Sequence, residues 1–207
     1  MKRDEAPTPG LKVGLLGGSF NPAHEGHLHL TRMCMKALAL DRVWWLVSPQ
    51  NPLKSATGMA PLATRMKAAN DLVAKSGDRR IAVTDIETRL GTRFTIDTVR
   101  ALKTRHPGTR FVWLMGADNL LQLPRWAKWR DLVDEIPLAV YPRPGFTLKA
   151  RLSPAAAMLK PVTLEPSDAS LLARLEPPVL VFLDGRTHPA SATAIRAAGM
   201  AARVTKS

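Results

Sequence analysis

Two histidines three residues apart, His24 and His27, are the residues of this 207-residue sequence whose spacing best suits chemistry. They follow a glycine pair, Gly17 and Gly18, and lie where a helix can begin. The free backbone N–H groups of a first helical turn and the positive end of its dipole attract anions, and imidazole nitrogens add further donors. The pattern therefore predicts a site that handles phosphate groups with imidazoles.

A strand, a turn and a helix are expected to position these residues. The apolar run Leu11–Leu16 predicts a buried strand, and the two glycines predict a sharp turn with room for a large group. A helix is expected from Glu25 to about Leu40. Three residues are expected on its buried face: Leu28, Met35 and Leu38.

Other kinds of site agree less well with the spacing. A dinucleotide fingerprint requires G-x-G-x-x-G, and a P-loop requires Lys followed by Ser or Thr after its second glycine; neither is present. A zinc site built from His24, His27, His29 and Cys34 has no second Cys or His cluster to complete it. The plainest alternative is two solvated histidines at a helix start, which the flanking glycines do not favour.

Residues 17–27 carry a longer resemblance, since they read G-G-S-F-N-P-A-H-E-G-H. This is similar to the motif G-G-[ST]-F-[DN]-P-x-H-x-G-H of the nucleotidyltransferases related to class I aminoacyl-tRNA synthetases. Within that superfamily the segment most resembles the bacterial nicotinate-nucleotide adenylyltransferases, although Asn21 stands where many members carry Asp. The resemblance implies an α/β fold, a Rossmann-like open parallel sheet with helices on both faces.

Later segments extend the resemblance to most of residues 11–203. In chain order they are a P-x-x-P-x-K-like loop ending at Lys54, an [YF]-T-[IAV]-x-T segment at 94–98, a G-x-D turn at 116–118, a tryptophan after a proline turn at 126, an R-P-G turn at 143–145 and an I-S-S-T-x-I-R-like motif at 190–196. Ala192 replaces the second serine of that last motif, which removes one hydroxyl contact with ATP.

The resemblance implies roles for particular residues. Those implied for catalysis are His24, His27 and Arg196. Those implied for ATP binding are Gly17, Gly18, Ser19, Phe20, His24, His27, Gly116, Asp118, Ser191, Thr193 and Arg196. Those implied for binding nicotinate mononucleotide are Asn21, Lys54, Phe94, Thr95, Trp126 and Arg143. Taken alone, Thr95 and Ser191 also suit helix N-caps, Lys54 a solvated surface and Trp126 the core.

The implied reaction transfers the adenylyl group of ATP to nicotinate mononucleotide, giving deamido-NAD and pyrophosphate in NAD biosynthesis. The attacking group is a phosphate monoester with a second pKa of about 6, so no general base is expected. Mg²⁺ is expected to arrive on the ATP phosphates, and no metal site made by the protein is expected. The alternative within the fold is another adenylyl or cytidylyl transferase such as the pantetheine-phosphate type, whose first motif typically carries threonine where His24 stands.

The charge suggests a second class of function. A formal net charge of +13 and a pI near 10.7 are typical of proteins that bind nucleic acid. The basic residues are scattered, however, and the aromatic residues, only 5% of the chain, do not alternate with them as a stacking surface requires. We therefore expect small anionic substrates and no nucleic-acid partner.

Length and composition predict one α/β domain over residues 11–203, with a flexible tail at 1–10 and another at 204–207. A single cysteine excludes an internal disulfide and fits a reducing compartment. Residues 1–10 lack the apolar stretch of a signal peptide, and no run reaches transmembrane length. A cytoplasmic protein without a membrane partner is expected, and its oligomeric state is left open.

Overall fold

A computed structural model of the chain describes residues 9–49, 58–190, 192–193 and 195–196. In that part of the chain, seven strands form one sheet in the order β3-β2-β1-β4-β5-β7-β6, and every neighbouring pair is parallel. The strands are β1 Lys12–Gly18, β2 Arg42–Val47, β3 Ile81–Thr84, β4 Arg110–Gly116, β5 Leu138–Tyr141, β6 Thr163–Leu164 and β7 Leu180–Phe182. The predicted Rossmann-like open sheet is confirmed.

Helices cover both faces of this sheet. They are α1 Glu25–Ala37, α2 Leu62–Ser76, α3 Ile86–Leu90, α4 Thr95–Arg105, α5 Ala117–Gln122, α6 Trp129–Glu135, α7 Thr147–Arg151 and α8 Pro154–Leu159. Alternate residues of each strand point to opposite faces, so Leu15 and Leu16 belong to two separate buried clusters. One cluster joins the sheet to α3–α8, and the other joins it to α1, α2 and the 3-10 segment Pro166–Arg174.

The first strand and helix differ in part from the prediction. The buried face of α1 is confirmed, since Leu28, Met35 and Leu38 are at most 4% exposed. The prediction that Gly17 and Gly18 form the turn is wrong, because β1 continues through both of them. The turn begins only after them, where extended strand geometry ends.

The strand order places a crevice at one edge of the sheet. The chain proceeds outward from β1 through β2 to β3, then returns to the other side of β1 with β4. Ligands of open parallel sheets bind at the carboxyl ends of the strands, beside the point where the order reverses. That point lies here between β1 and β4, where the glycine pair of β1 ends.

The proline-rich stretch from 137 to 178 folds into short elements, including α7, α8 and β6. The predicted tails fall mostly on residues 1–8 and 197–207, which lie outside the described residues, so the domain limits stay predictions. At Gly10 the backbone N–H donates to the Gly108 carbonyl at 2.9 Å. Among the helices that the structure describes, none has the length and apolar character needed to cross a membrane.

Candidate active site

A cavity of about 750 Å³ opens at the carboxyl edge of the sheet. Its volume lies in the range of small-molecule sites, roughly 300–1,000 Å³. The predicted site residues that line it are Gly17, Gly18, Ser19, Phe20, Asn21, His24, His27, Phe94, Thr95, Gly116, Asp118, Trp126, Arg143, Thr193 and Arg196. The predicted contacts of Lys54 and Ser191 lie outside the described residues. The structure thus gathers the predicted set around one cavity, while the contacts of each residue with a ligand stay predictions.

The two histidines cap the start of α1 with their own side chains. His24 is the N-cap, and its Nδ1 accepts a hydrogen bond from the Gly26 backbone N–H at 3.1 Å. The His27 Nδ1 accepts in turn from the His24 backbone N–H at 3.2 Å. Two backbone N–H groups predicted to be free for an anion are therefore engaged here. Imidazole groups replace them at the mouth of the cavity.

This capping fixes where the ring protons lie. A nitrogen that accepts a hydrogen bond carries no proton, so the neutral His24 ring holds its proton on Nε2. The His24 Nε2 atom is buried and has no hydrogen-bond partner among the described residues. Burial, followed by the charges of Arg143 and His188, lowers the pKa of His24 to about 4. At neutral pH this ring is therefore an uncharged donor whose N–H is unpaired at the cavity.

The backbone strain that the glycines were expected to absorb falls on Phe20. This residue has φ +46°, an uncommon conformation for a bulky side chain, and is 1% exposed. Its ring stacks on that of Trp45 at a centroid distance of 5.0 Å and lies tilted against that of His27 at 4.7 Å. Gly17 has a different role, since a Cβ there would lie 2.7 Å from the ring of Trp113. The glycine lets the β1 backbone lie directly against that indole.

The segments that follow β4 and β5 also meet at the cavity, through Asp118 and Arg143. The Arg143 Nη1 atom binds the Asp118 Oδ2 atom at 2.6 Å. A Cβ on Gly116 would lie 2.5 Å from the Asp118 Oδ1 atom, so glycine is needed for the carboxylate to fold back. Asp118 Oδ1 is buried without a hydrogen-bond partner in the described part of the chain. The pair leaves one carboxylate oxygen available to accept a hydrogen bond from a hydroxyl group.

The start of α4 supplies a second donor region. The prediction that Thr95 is the N-cap of this helix is wrong, because Phe94 holds that position and Thr95 is the first helical residue. Among the described residues, no side-chain capping hydrogen bond is made at this N-cap. An eleven-residue helix therefore presents an uncapped N-terminus beside the cavity, where Phe94 and Thr95 are lining residues. Such an end favours an anion.

An aromatic corner stands next to this helix start. Trp126 is half-buried, lines the cavity and packs edge-to-face on Trp113 with the ring centroids 6.1 Å apart. Trp129 packs against the core, with the Arg130 guanidinium 4.8 Å from its ring centroid. Of these two half-buried indoles, Trp126 lines the cavity and Trp129 does not.

The last described residues return to the glycine end of the cavity. Arg196 donates from Nη1 to the Asn21 carbonyl at 2.6 Å. The chain before Arg196 is held in place at Arg186. The Arg186 carbonyl accepts a hydrogen bond from the Tyr141 hydroxyl at 2.9 Å and lies 2.6 Å from the His29 Nε2 atom. The spacing of His29 suggested at most a zinc ligand, whereas its Nε2 atom contacts the Arg186 carbonyl and, at 3.2 Å, the Tyr141 hydroxyl.

Several lining residues carry no motif and were not predicted. Arg93 and Arg125 line the cavity without a carboxylate partner among the described residues, and the Arg93 guanidinium lies 5.6 Å from the Phe94 ring centroid. Glu87 also lines it, and burial raises the pKa of this carboxyl against the opposing effect of a hydrogen bond with Ser48. Cationic side chains thus outnumber carboxylates around the cavity, which suits polyanionic ligands.

Comparisons with known proteins agree with this geometry. Residues 15–198 match the sequence model of the cytidylyltransferase-like family. A protein of Parvibaculum lavamentivorans named "Probable nicotinate-nucleotide adenylyltransferase" is 66% identical over 96% of this chain and 98% of its own length. One of the same name from Ruegeria pomeroyi is 50% identical over 92% of this chain and 88% of its own.

Among solved structures, the chain resembles the Plasmodium falciparum nicotinic acid mononucleotide adenylyltransferase complexed with NaAD. The TM-score is 0.68 at 16% identity, over 90% of this chain and 83% of that chain. At that identity the likeness concerns the fold. It agrees with the seven-stranded parallel sheet described above.

Proposed function

Since the chain belongs to the cytidylyltransferase-like family and, within it, to the nicotinate-nucleotide adenylyltransferases, we propose that it transfers the adenylyl group of ATP to nicotinate mononucleotide. The products are deamido-NAD and pyrophosphate. The observation that carries the proposal is the single cavity edge at which the capped histidine pair, the Asp118–Arg143 pair and the uncapped α4 end meet.

The chemical step is a displacement at the α-phosphorus of ATP. A phosphate oxygen of nicotinate mononucleotide forms the new bond, the bond to the oxygen bridging the α- and β-phosphorus breaks, and pyrophosphate leaves with its electron pair. The attacking monoester is ionised near neutral pH, so the protein needs to align the groups and stabilise charge. The unpaired Nε2–H of His24 supports its role as a donor to the α- and β-phosphates, with His27 beside it.

The remaining predicted contacts divide the cavity between the two substrates. The proposal places Thr193 and Arg196 at the far phosphates of ATP and the free Oδ1 of Asp118 at a hydroxyl of the nucleoside. It places the nicotinate ring against Trp126 and the ring carboxylate at the N–H groups around Thr95. Support for the latter comes from the uncapped start of α4. Lys54 and Ser191 keep their predicted contacts as proposals only.

Magnesium enters this proposal with ATP. Among the residues that the structure describes, no group of three or more His, Cys, Asp or Glu side chains could hold a metal ion. Asp118 is occupied by Arg143. These residues do not fit a resident metal site, and the proposal has the cation carried by the phosphates. Small-molecule partners and a cytoplasmic location complete the proposal.

The test is an acceptor comparison. The purified protein with ATP and Mg²⁺ is offered nicotinate mononucleotide, its amide or phosphopantetheine, and pyrophosphate release is followed. Nicotinate mononucleotide should give the highest kcat/KM. Faster turnover of phosphopantetheine, or no turnover with any of the three, would contradict the proposed function.

A further inference from the structure

Arg65 is a buried arginine in the first turn of α2, and its guanidinium donates to four backbone carbonyls of the described residues. Arg65 as a whole is 2% exposed. Nε donates to the Ala60 carbonyl at 2.8 Å, and Nη2 donates to the Pro49 carbonyl at 3.0 Å. Nη1 donates to the carbonyls of both Ser19 and Ser48, at 2.7 and 2.8 Å. No carboxylate pairs with it among the described residues.

The four carbonyls belong to three segments that are distant in sequence. Ser19 follows β1, Ser48 and Pro49 follow β2, and Ala60 precedes α2. Ser19, Ser48 and Pro49 also line the cavity. One side chain beneath the cavity therefore fixes the loop that leads to the histidines and the start of the segment that follows β2.

Asn21 makes a second connection between the same segments. Its Nδ2 donates to the Gly58 carbonyl at 3.0 Å, and its Oδ1 accepts from the Ala60 backbone N–H at 3.2 Å. Arg65 and Asn21 thus bind Ala60 from both of its backbone polar groups. The described residues on either side of 50–57 are held to the loop after β1 by these two side chains.

The chemistry of arginine suits this position. A guanidinium presents five N–H donors in a rigid plane, whereas an ammonium is a compact charge with three. Burial lowers the pKa of Arg65, which is a cost of placing the charge here. A residue needed only to fill space beneath a loop could be apolar, since apolar replacements of buried charges are often neutral or stabilising. The four directional contacts fix distances that packing alone would leave loose.

We propose that Arg65 is a positioning residue that sets the spacing between the loop after β1 and the segment after β2. By this spacing it aligns the two substrates, an inference that rests on the proposed function. Arg65 is not among the residues that line the cavity, whereas Ser19, Ser48 and Pro49, whose carbonyls it binds, do line it. Misplacement of reacting groups by about 1 Å can cost roughly 10²-fold in rate.

The experiment compares R65K and R65M with S153A as a matched control. Ser153 is 3% exposed and caps α8 by accepting from the Ala156 N–H at 3.2 Å, and it does not line the cavity. All proteins are assayed with ATP and nicotinate mononucleotide well below their melting temperatures, and the active fraction is measured by titration of tight product binding. R65K and R65M should lose roughly 10²-fold in kcat/KM, with KM raised for both substrates. S153A should melt earlier with both KM values unchanged.

The outcomes separate the two proposals. An inactive wild-type protein would contradict the proposed function, whatever the variants do. An active wild type with R65K and R65M that differ only in active fraction would show a purely structural role for Arg65. Variants that do not fold at all would show that the guanidinium is a requirement of the fold, which also overturns the positioning role. A raised KM per active molecule in R65K supports it.

Discussion

His24 combines two functions in one imidazole ring. Its Nδ1 atom caps α1, and its Nε2–H is left buried and unpaired at the cavity. The two nitrogens are therefore separable by mutation, because a small hydroxyl side chain can cap a helix without reaching the cavity. Serine is among the preferred N-cap residues.

We predict that H24A and H24S lose activity alike and differ in stability. H24A loses a cap worth about 1 kcal/mol, which corresponds to a fall in Tm of about 2–4 °C for a chain of this size. H24S should recover most of that loss. Both should lower kcat by roughly 10²- to 10³-fold, as for a lost donor to developing charge. Calorimetry and steady-state kinetics measure the two effects, and an H24S variant with near-normal kcat would contradict the donor role.

Motif residues were predictable one by one, and residues that act through the backbone were not. His24 and His27 stand out by spacing beside glycines, and the same holds for Asp118 after Gly116. Arg65 gives no such signal, because an arginine in an amphipathic helix ordinarily lies on the solvated face. Its burial depends on loops contributed by three other parts of the chain. Local sequence carries no information about those distances.

At the scale of elements, continuous apolar runs were located well. The apolar runs at 42–47 and 81–84 predict two buried strands, and β2 and β3 have these bounds in the structure. Both strands are buried on two faces and their flanking residues are polar or helix-breaking. The short helices α3, α5 and α6 were not predicted. Helices of five to seven residues are marginal alone, so tertiary packing decides whether they form. The start of α4 was misplaced by one residue, since Thr95 has a good capping side chain that the structure does not use.

The aromatic corner made by Trp113 and Trp126 leads to a prediction about substrate choice. W126A should raise KM for nicotinate mononucleotide roughly 5- to 150-fold, which corresponds to a stacking energy of about 1–3 kcal/mol. KM for ATP should change little, because Trp126 is not among the proposed ATP contacts. W126F should lie between the wild type and W126A, since a smaller ring keeps part of the stacking surface.

Trp129 supplies the control for this measurement. It lies three residues further on, packs against the core and does not line the cavity. W129A should therefore lower Tm without raising either KM. If W126A raised both KM values together, or simply unfolded, Trp126 would be a core residue and the ring would bind elsewhere.

At the scale of the whole molecule, the excess positive charge has two parts. Some of it surrounds the cavity, where Arg93, Arg125 and Arg196 form no ion pair with a carboxylate of the described residues. Other basic residues are exposed on helices, and some form surface ion pairs such as Lys67 with Asp71 at 2.7 Å. Surface pairs of this kind add little stability. A positive cavity within a positive surface raises the rate at which small polyanions arrive.

We therefore predict only weak binding of duplex and single-stranded oligonucleotides. At physiological salt the dissociation constants should lie around the non-specific range, about 10⁻⁴–10⁻⁶ M. Fluorescence anisotropy at several salt concentrations measures this, with random-sequence oligonucleotides as the control. Sequence-dependent binding in the nanomolar range would contradict the assignment of the charge to small anions.

The contact between Gly17 and Trp113 has a consequence for how this site can change over generations. A single methyl group on residue 17 would occupy space that the indole already fills, at 2.7 Å, and Trp113 is 2% exposed and cannot move aside. The two positions therefore share one volume, although they are 96 residues apart in the chain. A larger residue at position 17 is tolerated only when position 113 already carries a smaller side chain. Substitutions at residues 17 and 113 are therefore expected to be coupled.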